Sequence, residues 1–394
     1  MHNEPWILPE GIDEVLPPQA WRLEGVRREL LDLYATWGYE LIIPPFVEYL
    51  ESLLTGTGGD LDLQTFKLTD QMSGRLMGIR ADMTPQAARI DAQRLRRGVP
   101  VRLCYIGTVL HTRPGALSSS RSPMQIGVEL YGHSGVESDL EIVQLMMRTL
   151  RCVGIAEAFL DLGHVGIFRG LARQAGLDAG QESALFDALQ RKAVPEIDQR
   201  LGQLSLRPNM GRMLRALADL NGEDALQRAR VELSDASPDV ISALDYLEQV
   251  ADRVARAFPG VPVHFDLAEL RGYRYKTGVV FAAFVPGQGE EIARGGRYDG
   301  IGRVFGRARP AVGFSADLKR LLRAGAVPDA TQHRPGAIYA PWSEDEALQK
   351  KIAELRAQGE QVLVALPGQT GGAEEMGCSR KLVQEGRMWV LSGA

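Results

Sequence analysis

The chain has 394 residues, 45% of them hydrophobic and 24% charged, which is enough for two or three domains with ordinary cores. Its 45 Lys and Arg against 50 Asp and Glu leave a formal net charge of −5, so no basic surplus exists to neutralise a phosphate backbone, and tRNA or other nucleic acid is a disfavoured partner. Three dispersed cysteines, Cys104, Cys152 and Cys378, argue against a disulfide framework or a thiolate metal cluster; an N-terminus with no apolar h-region and the lack of any run of about 18 apolar residues point to a cytoplasmic protein with no membrane span.

Leu23, Val26, Leu30, Leu33, Tyr34 and Trp37 recur at helical spacing and predict a helix over residues 19–37, ended by Gly38. YELIIPPFVEYL follows as a short strand that Pro44 and Pro45 interrupt, since proline donates nothing to a ladder. GTGGD at 56–60 reads as a flexible loop before a polar extended stretch. QTFKLTD, RLMGIRADMT, VRLCYIGTVLH and MQIGVELYG read as strands, with a helix from Pro85 to Arg97 among them that Gly98 and Pro100 end. SSSRS at 118–122 reads as a mobile loop, and Arg94, Arg96 and Arg97 as a solvated helix end. Ser138 and Glu141 have capping-box spacing ahead of a helix to about 153.

From about 166 to 258 the texture turns to Leu, Ala, Arg and Gln at helical periodicity, a helical insertion. VPVHFDLAEL, TGVVFAAFV and EEIARGG return to strands, and FSADLKRLLRAG closes this body as a helix. IYAP, a helix over EDEALQKKIAELRAQG, the strand QVLVAL and the ending RMWVLSGA form a small C-terminal α/β module over 334–394.

No phosphate-binding glycine signature, nucleophile elbow or metal-ligand spacing is present, so no cofactor and no metal are expected; His111 and His264 read as ordinary strand residues. What remains is a set of polar residues set into strands: Arg80, Asp82 and Thr84; Gln125 and Glu129; Arg271 and Tyr275; Arg297 and Arg320. Gln125 and Glu129 lie four apart and share one face of a strand. Acids and an amide on one face can recognise an amino group or an imidazole, or can simply meet solvent or a partner.

Over residues 7–325 these segments together resemble the catalytic body of the histidyl-tRNA synthetases, of the class II aminoacyl-tRNA synthetases. LPEGIDEVLP is similar to that family's opening, GYELIIPPFVE to motif 1 of the dimer interface, and IRADMTP to the amino-acid-binding segment. YIGTVLHTRP with MQIGVELYG is similar to motif 2, ELRGYRYKTG to the histidine-specific motif, and ARGGRYDG with AVGFSADLKRL to motif 3. The resemblance implies an α+β fold: a class II synthetase-like antiparallel sheet flanked by helices in a body over 1–325, its helical insertion at about 166–258, and a C-terminal module like a shortened anticodon-binding domain.

The departures fall on chemistry. Leu110 and Thr112 stand where motif 2 carries an Arg that grips the α-phosphate of ATP and a Glu, and Asp317 and Lys319 stand for a Gly and a metal-associated Glu of motif 3. Loss of one bidentate guanidinium from a developing phosphoryl charge costs several kcal/mol, roughly 10²- to 10³-fold in rate. Arg274 replaces an Asp and Lys276 a Tyr of the histidine motif. This pattern is similar to the synthetase-like regulatory subunits of ATP phosphoribosyltransferase. That resemblance implies no catalysis by the chain itself, a self-dimer through the motif 1 region, a hetero-octamer with the short catalytic subunit, activation of that subunit, and a part in feedback by L-histidine. Asp82, Thr84, Gln125, Glu129, Arg271 and Tyr275 would then form a remnant histidine pocket beside degraded ATP-site positions at Leu110, Thr112, Asp317 and Lys319. The alternatives are a working histidyl-tRNA synthetase and a histidine-binding sensor or scaffold with another partner.

Overall fold

The computed structural model describes residues 7–55, 59–114, 120–268, 272–273, 275–326 and 336–393. The chain divides into two compact units, a large one that carries nearly all of the chain up to Ala326 and a small C-terminal one. No helix among the described residues is long and apolar enough to cross a membrane.

The large unit is built on a nine-stranded sheet in the spatial order Glu40–Leu41, Val101–Thr108, Met124–Tyr131, Ala311–Asp317, Ala293–Arg297, Val279–Phe284, Phe159–His164, Val263–Asp266 and Asn221–Gly222. Its six central strands pair antiparallel. Parallel pairs, Glu40–Leu41 on Val101–Thr108 and Phe159–His164 on Val263–Asp266, flank them. Sequence order is scrambled across this sheet because the insertion separates Phe159–His164 from the strands at 263–317, so the pairing is long-range.

Helices cover the sheet because they carry one apolar stripe each. Leu23, Val26, Leu30 and Tyr34 of Gln19–Thr36 are buried. Val136–Cys152 buries Ile142, Leu145, Met146 and Leu150, each worth about 1.5–3 kcal/mol relative to exposure. The Tyr34 and Thr149 hydroxyls join the two helices at 3.1 Å. The insertion holds Val165–Ala175, Ala179–Gln190, Val194–Gly202, Pro208–Ala216, Ala225–Glu232 and Pro238–Ala257. Asn221–Gly222 inside it adds a two-residue strand beside Val263–Asp266, too short for any sequence periodicity to announce.

Several local expectations are corrected. The segment 84–97 is an α-helical turn, Thr84–Arg89, running into a π-helix, Ile90–Leu95, and Arg96 in the left-handed region (φ 50°) ends it before Gly98. The polar stretch after the glycines is helical, Gly59–Gln64, while 56–58 lie outside the described residues. His111 lies beyond the strand's end at Thr108, with Nε2 2.9 Å from the Ala81 carbonyl. Ser138 and Glu141 form no capping box: the helix starts after Gly135 without a side-chain cap, and both side chains serve tertiary partners described below.

The small unit has a four-stranded sheet, ordered Val362–Val364, Ile338–Ala340, Arg380–Glu385, Met388–Gly393. Helix Glu346–Ala357 covers it with Leu348, Ile352 and Leu355. Asp345 caps that helix on Ala347 N at 2.9 Å and accepts the Trp389 indole at 2.7 Å. The strand Arg380–Glu385 went unread in the sequence because only Leu382 of it is buried.

Two glycines show how tightly the large sheet is packed. A Cβ on Gly295 would stand 2.3 Å from the Phe281 ring and 2.4 Å from the Gly313 carbonyl. Gly211, inside helix Pro208–Ala216, faces open space. In urea unfolding, Gly295→Ala is expected to lower stability by about 2–3 kcal/mol through overpacking, whereas Gly211→Ala raises it by about 0.5–1 kcal/mol through helix propensity.

Candidate functional site

The site grows from the paired strands Val101–Thr108 and Met124–Tyr131. In their register Glu129 lies opposite Leu103 on one side and Gly313 on the other, and Gly127 lies opposite Tyr105. A Cβ on Gly313 would fall 1.7 Å from the Glu129 carboxylate, and one on Gly127 would fall 2.5 Å from the Tyr105 ring. The absent side chains leave the space into which Glu129 and Tyr105 turn.

Glu129 is 1% exposed. Its Oε1 accepts from the Tyr105 hydroxyl at 2.9 Å, and its Oε2 accepts from the Tyr298 hydroxyl. Tyr105 also meets Thr84 Oγ1 at 3.0 Å. Asp82 Oδ1 accepts from Gln125 Nε2 at 2.7 Å and from Thr84 N at 2.9 Å, while Gln125 Oε1 takes Met83 N at 2.9 Å. Asp82, Thr84, Gln125 and Glu129 are thus one hydrogen-bonded cluster. Tyr105 and Tyr298 belong to it and were missed. The signal for Tyr105 lay in Gly127 opposite it, since a glycine facing a strand residue marks a close approach; Tyr298, just past the end of its strand and bonded through its N–H to the Ala311 carbonyl, carried no such mark.

Burial pushes the Glu129 carboxyl up to about 7, against the opposing hydrogen bonds from Tyr298 and Tyr105. Burial pulls the Lys276 ammonium down to about 8, against the attraction of Glu129. Lys276 is buried, and its Nζ lies 5.4 Å from the ring centroids of both Tyr275 and Tyr298. Tyr275 therefore borders the cluster. Arg271 and Arg274 lie outside the described residues.

Arg80 serves the frame: its guanidinium donates to the Thr108 carbonyl at 2.9 Å and the Pro44 carbonyl at 2.8 Å. Arg297 does the same on the far side. It donates to Asp139 at 2.7 Å, Ser138 Oγ at 2.8 Å and the His133 carbonyl at 3.1 Å, and Asp139 also accepts from the Tyr246 hydroxyl of the insertion. Ser138 therefore accepts from Arg297 while its hydroxyl donates to the Gly135 carbonyl at 2.7 Å, and caps no backbone N–H of its helix. Glu141 takes two hydrogen bonds from Arg102, both at 2.7 Å, and one from Tyr39 at 2.9 Å. A charge-assisted bidentate pair outcompetes a cap.

The positions expected for a nucleotide are occupied by the chain's own contacts. Leu110 N donates to the Arg80 carbonyl at 3.0 Å, and Thr112 donates through N to the Gln64 carbonyl at 3.0 Å and through Oγ1 to that of Leu63 at 2.5 Å. Asp317 accepts from Met124 N and Lys319 N, each at 3.1 Å, the latter as the cap of helix Leu318–Ala324. Lys319 Nζ donates to the Ser122 carbonyl at 2.9 Å and to Asp13 at 3.2 Å. Ser122 and Ser120 also donate to Asp13, at 2.8 and 3.1 Å. Partial burial opposes ionisation of Asp13, but hydrogen bonds from Ser122 and Lys319 hold its carboxyl below the usual range. Arg121 completes the latch, donating through N to the Gly11 carbonyl at 2.6 Å and through Nη1 to that of Glu10 at 3.0 Å. Of the serine loop, 118 and 119 lie outside the described residues, while Ser120 and Ser122 are tied down. Arg320 is held by Glu290 at 2.8 Å.

A pH dependence follows from Glu129. The folded chain releases its proton near 7 and the unfolded chain near 4.5, so ionisation costs folding free energy, and stability falls as pH rises between those values. The unfolding free energy of the wild type minus that of Glu129→Gln should decline from about pH 4.5 to about pH 7 in urea titrations. A difference that is flat across that window would show that Glu129 ionises in the fold as it does in water.

Two family models match the chain: "Histidyl-tRNA synthetase" over residues 11–321 and "ATP phosphoribosyltransferase subunit HisZ C-terminal domain" over residues 335–392. The chain is 59% identical to the ATP phosphoribosyltransferase regulatory subunit of Alkalilimnicola ehrlichii, over 98% of this chain and 96% of that one. It is likewise 59% identical to that of Thioalkalivibrio sulfidiphilus, over 98% of each. A solved structure described as an ATP phosphoribosyltransferase regulatory subunit/histidyl-tRNA synthetase from Bacillus halodurans superposes with a TM-score of 0.82 at 27% identity, covering 94% of this chain and 95% of that one. With 59% identity over nearly the whole chain and both family models matched, the chain belongs to the ATP phosphoribosyltransferase regulatory subunits, on a body of histidyl-tRNA synthetase type.

Proposed function

We propose that this chain is the regulatory, non-catalytic subunit of an ATP phosphoribosyltransferase of the cytoplasm. It activates a short catalytic subunit within a hetero-octamer and takes part in feedback by L-histidine. The observation that carries the loss of catalysis is the latch at the substituted nucleotide positions. Lys319 is spent on Asp13 and Ser122, and Leu110 supplies no donor beyond its backbone. A triphosphate there would meet neither the guanidinium nor the metal-associated acid that phosphoryl chemistry needs.

The cluster of Asp82, Thr84, Gln125 and Glu129, bordered by Tyr275 and with Arg271 nearby in sequence, is proposed as an amine-recognising pocket for the effector. Two acids, Glu129 backed by tyrosine hydroxyls and Asp82 by Gln125 and the Thr84 backbone, suit an ammonium or a ring N–H. Histidine acts on the catalytic partner only as far as it binds one conformation of the assembly more tightly than the other.

Mixing tests the role directly. Adding the purified chain to the short catalytic subunit should raise phosphoribosyltransferase turnover on the order of tenfold, and histidine should reverse the gain; no change in turnover would leave a sensor or scaffold with another partner. Histidine-dependent ATP–pyrophosphate exchange should stay at background, and exchange at synthetase-like rates would sink the proposal. The self-dimer is proposed to form through the motif 1 region, where Leu41, Ile43 and Phe46 are 46%, 85% and 44% exposed. Ile43→Asp should then halve the sedimentation mass of the isolated chain, and an unchanged dimer would refute that interface.

A further inference from the structure

We propose that Lys276 is the resident cation of the Asp82–Gln125–Glu129 pocket in the ligand-free chain, a tethered competitor that an incoming ammonium or imidazolium has to displace. This rests on the reading of that cluster as an amine pocket.

Three observations place the lysine in that role. First, its ammonium is caged: Nζ stands 5.4 Å from the Tyr275 and Tyr298 ring centroids, and a Cβ on Gly296 would come within 3.2 Å of it. Tyr298 is the residue whose hydroxyl donates to Glu129, so one wall of the cage is the donor of the pocket's deepest acid. Second, the cation is only half compensated. Among the described residues it forms no ion pair, and its charge is balanced by ring faces and by the more distant Glu129 and Asp82. A buried ammonium without a direct acid partner is held less firmly than one in a salt bridge.

Third, the backbone beneath it is pinned independently of the side chain. Lys276 N donates to the Gly272 carbonyl at 2.8 Å, and Thr277 N donates to that of Arg297 at 2.8 Å. Arg169 Nη2 donates to the Tyr273 and Lys276 carbonyls at 2.9 and 3.2 Å. The side chain can leave the cage while its backbone stays in place. An amine that takes its position meets the same ring faces and the same attraction from Glu129.

The test titrates L-histidine and ethylamine into the full chain by calorimetry, with thermal melting alongside. The proteins are the wild type, Lys276→Ala, Lys276→Met and Lys276→Ala with Glu129→Gln, together with Glu129→Gln in the otherwise wild-type chain as a control. Ethylamine should bind Lys276→Ala saturably and raise its Tm, leave the wild type unchanged, and lose its effect when Glu129→Gln is added. Histidine should bind at least one of the two single variants about tenfold more tightly than the wild type. Failure of both Lys276 variants to gain affinity for either amine overturns the proposal. In that case the pocket reading still stands if Glu129→Gln in the otherwise wild-type chain removes histidine binding. Histidine binding that is indifferent to Glu129→Gln overturns the pocket reading and this proposal with it.

Discussion

A carboxylate buried between two tyrosine hydroxyls is the constraint around which the large unit is arranged. Glu129 sits at the centre of the sheet, where desolvation of a bare acid costs several kcal/mol. The fold answers with one donor from the adjacent strand, another from just past the end of strand Ala293–Arg297, and backbone that gives it room: Tyr105 and Tyr298 reach its oxygens, and Gly313 leaves the space its side chain occupies. Register follows from this. A slip of one residue would bring a side chain against the carboxylate and turn Gln125 and Glu129 to the opposite face. The strand order of the central sheet is therefore tied to one polar residue as firmly as to its apolar core.

Much of this was legible in the sequence because strand periodicity is simple. Gln125 and Glu129 had to share a face, and Asp82 and Thr84 followed a strand closely enough to meet them. Helices with one clean stripe, such as Gln19–Thr36, were readable for the same reason. Illegible parts were those where a distant partner overrides a local rule. Ser138 and Glu141 have the spacing of a helix cap, yet Arg297 and Arg102 claim them, and neither arginine is near in sequence. The turn to a π-helix at Ile90 and the two-residue strand at Asn221 have no pattern long enough to detect. Tyr105 and Tyr298 looked like core aromatics, and their hydroxyls gained a purpose only when the strands were paired.

On the proposed reading of residues 110, 112, 317 and 319 as former nucleotide positions, side chains there now serve the fold. Lys319 draws Asp13 and the Ser122 carbonyl into a contact that joins the N-terminal segment to the loop before Met124–Tyr131. Asp317, an additional acid, is absorbed as a helix cap. Thr112, Asp317 and Lys319 each have a side-chain partner within the fold, whereas Leu110, among the described residues, is tied only through its backbone N–H.

The buried pair of Arg297 and Asp139, 5% and 0% exposed, has a consequence for how such a protein can drift. Removing Arg297 strands Asp139 in the interior at a cost of about 3–5 kcal/mol, a large share of the stability of a whole domain, and removing Asp139 leaves Arg297, among the described acids, only the half-exposed Asp299 at 3.3 Å. Lineages cannot cross that step one residue at a time without passing through a crippled ancestor. The junction that ties strand, helix and insertion through Arg297, Asp139 and Tyr246 can therefore change only as a block.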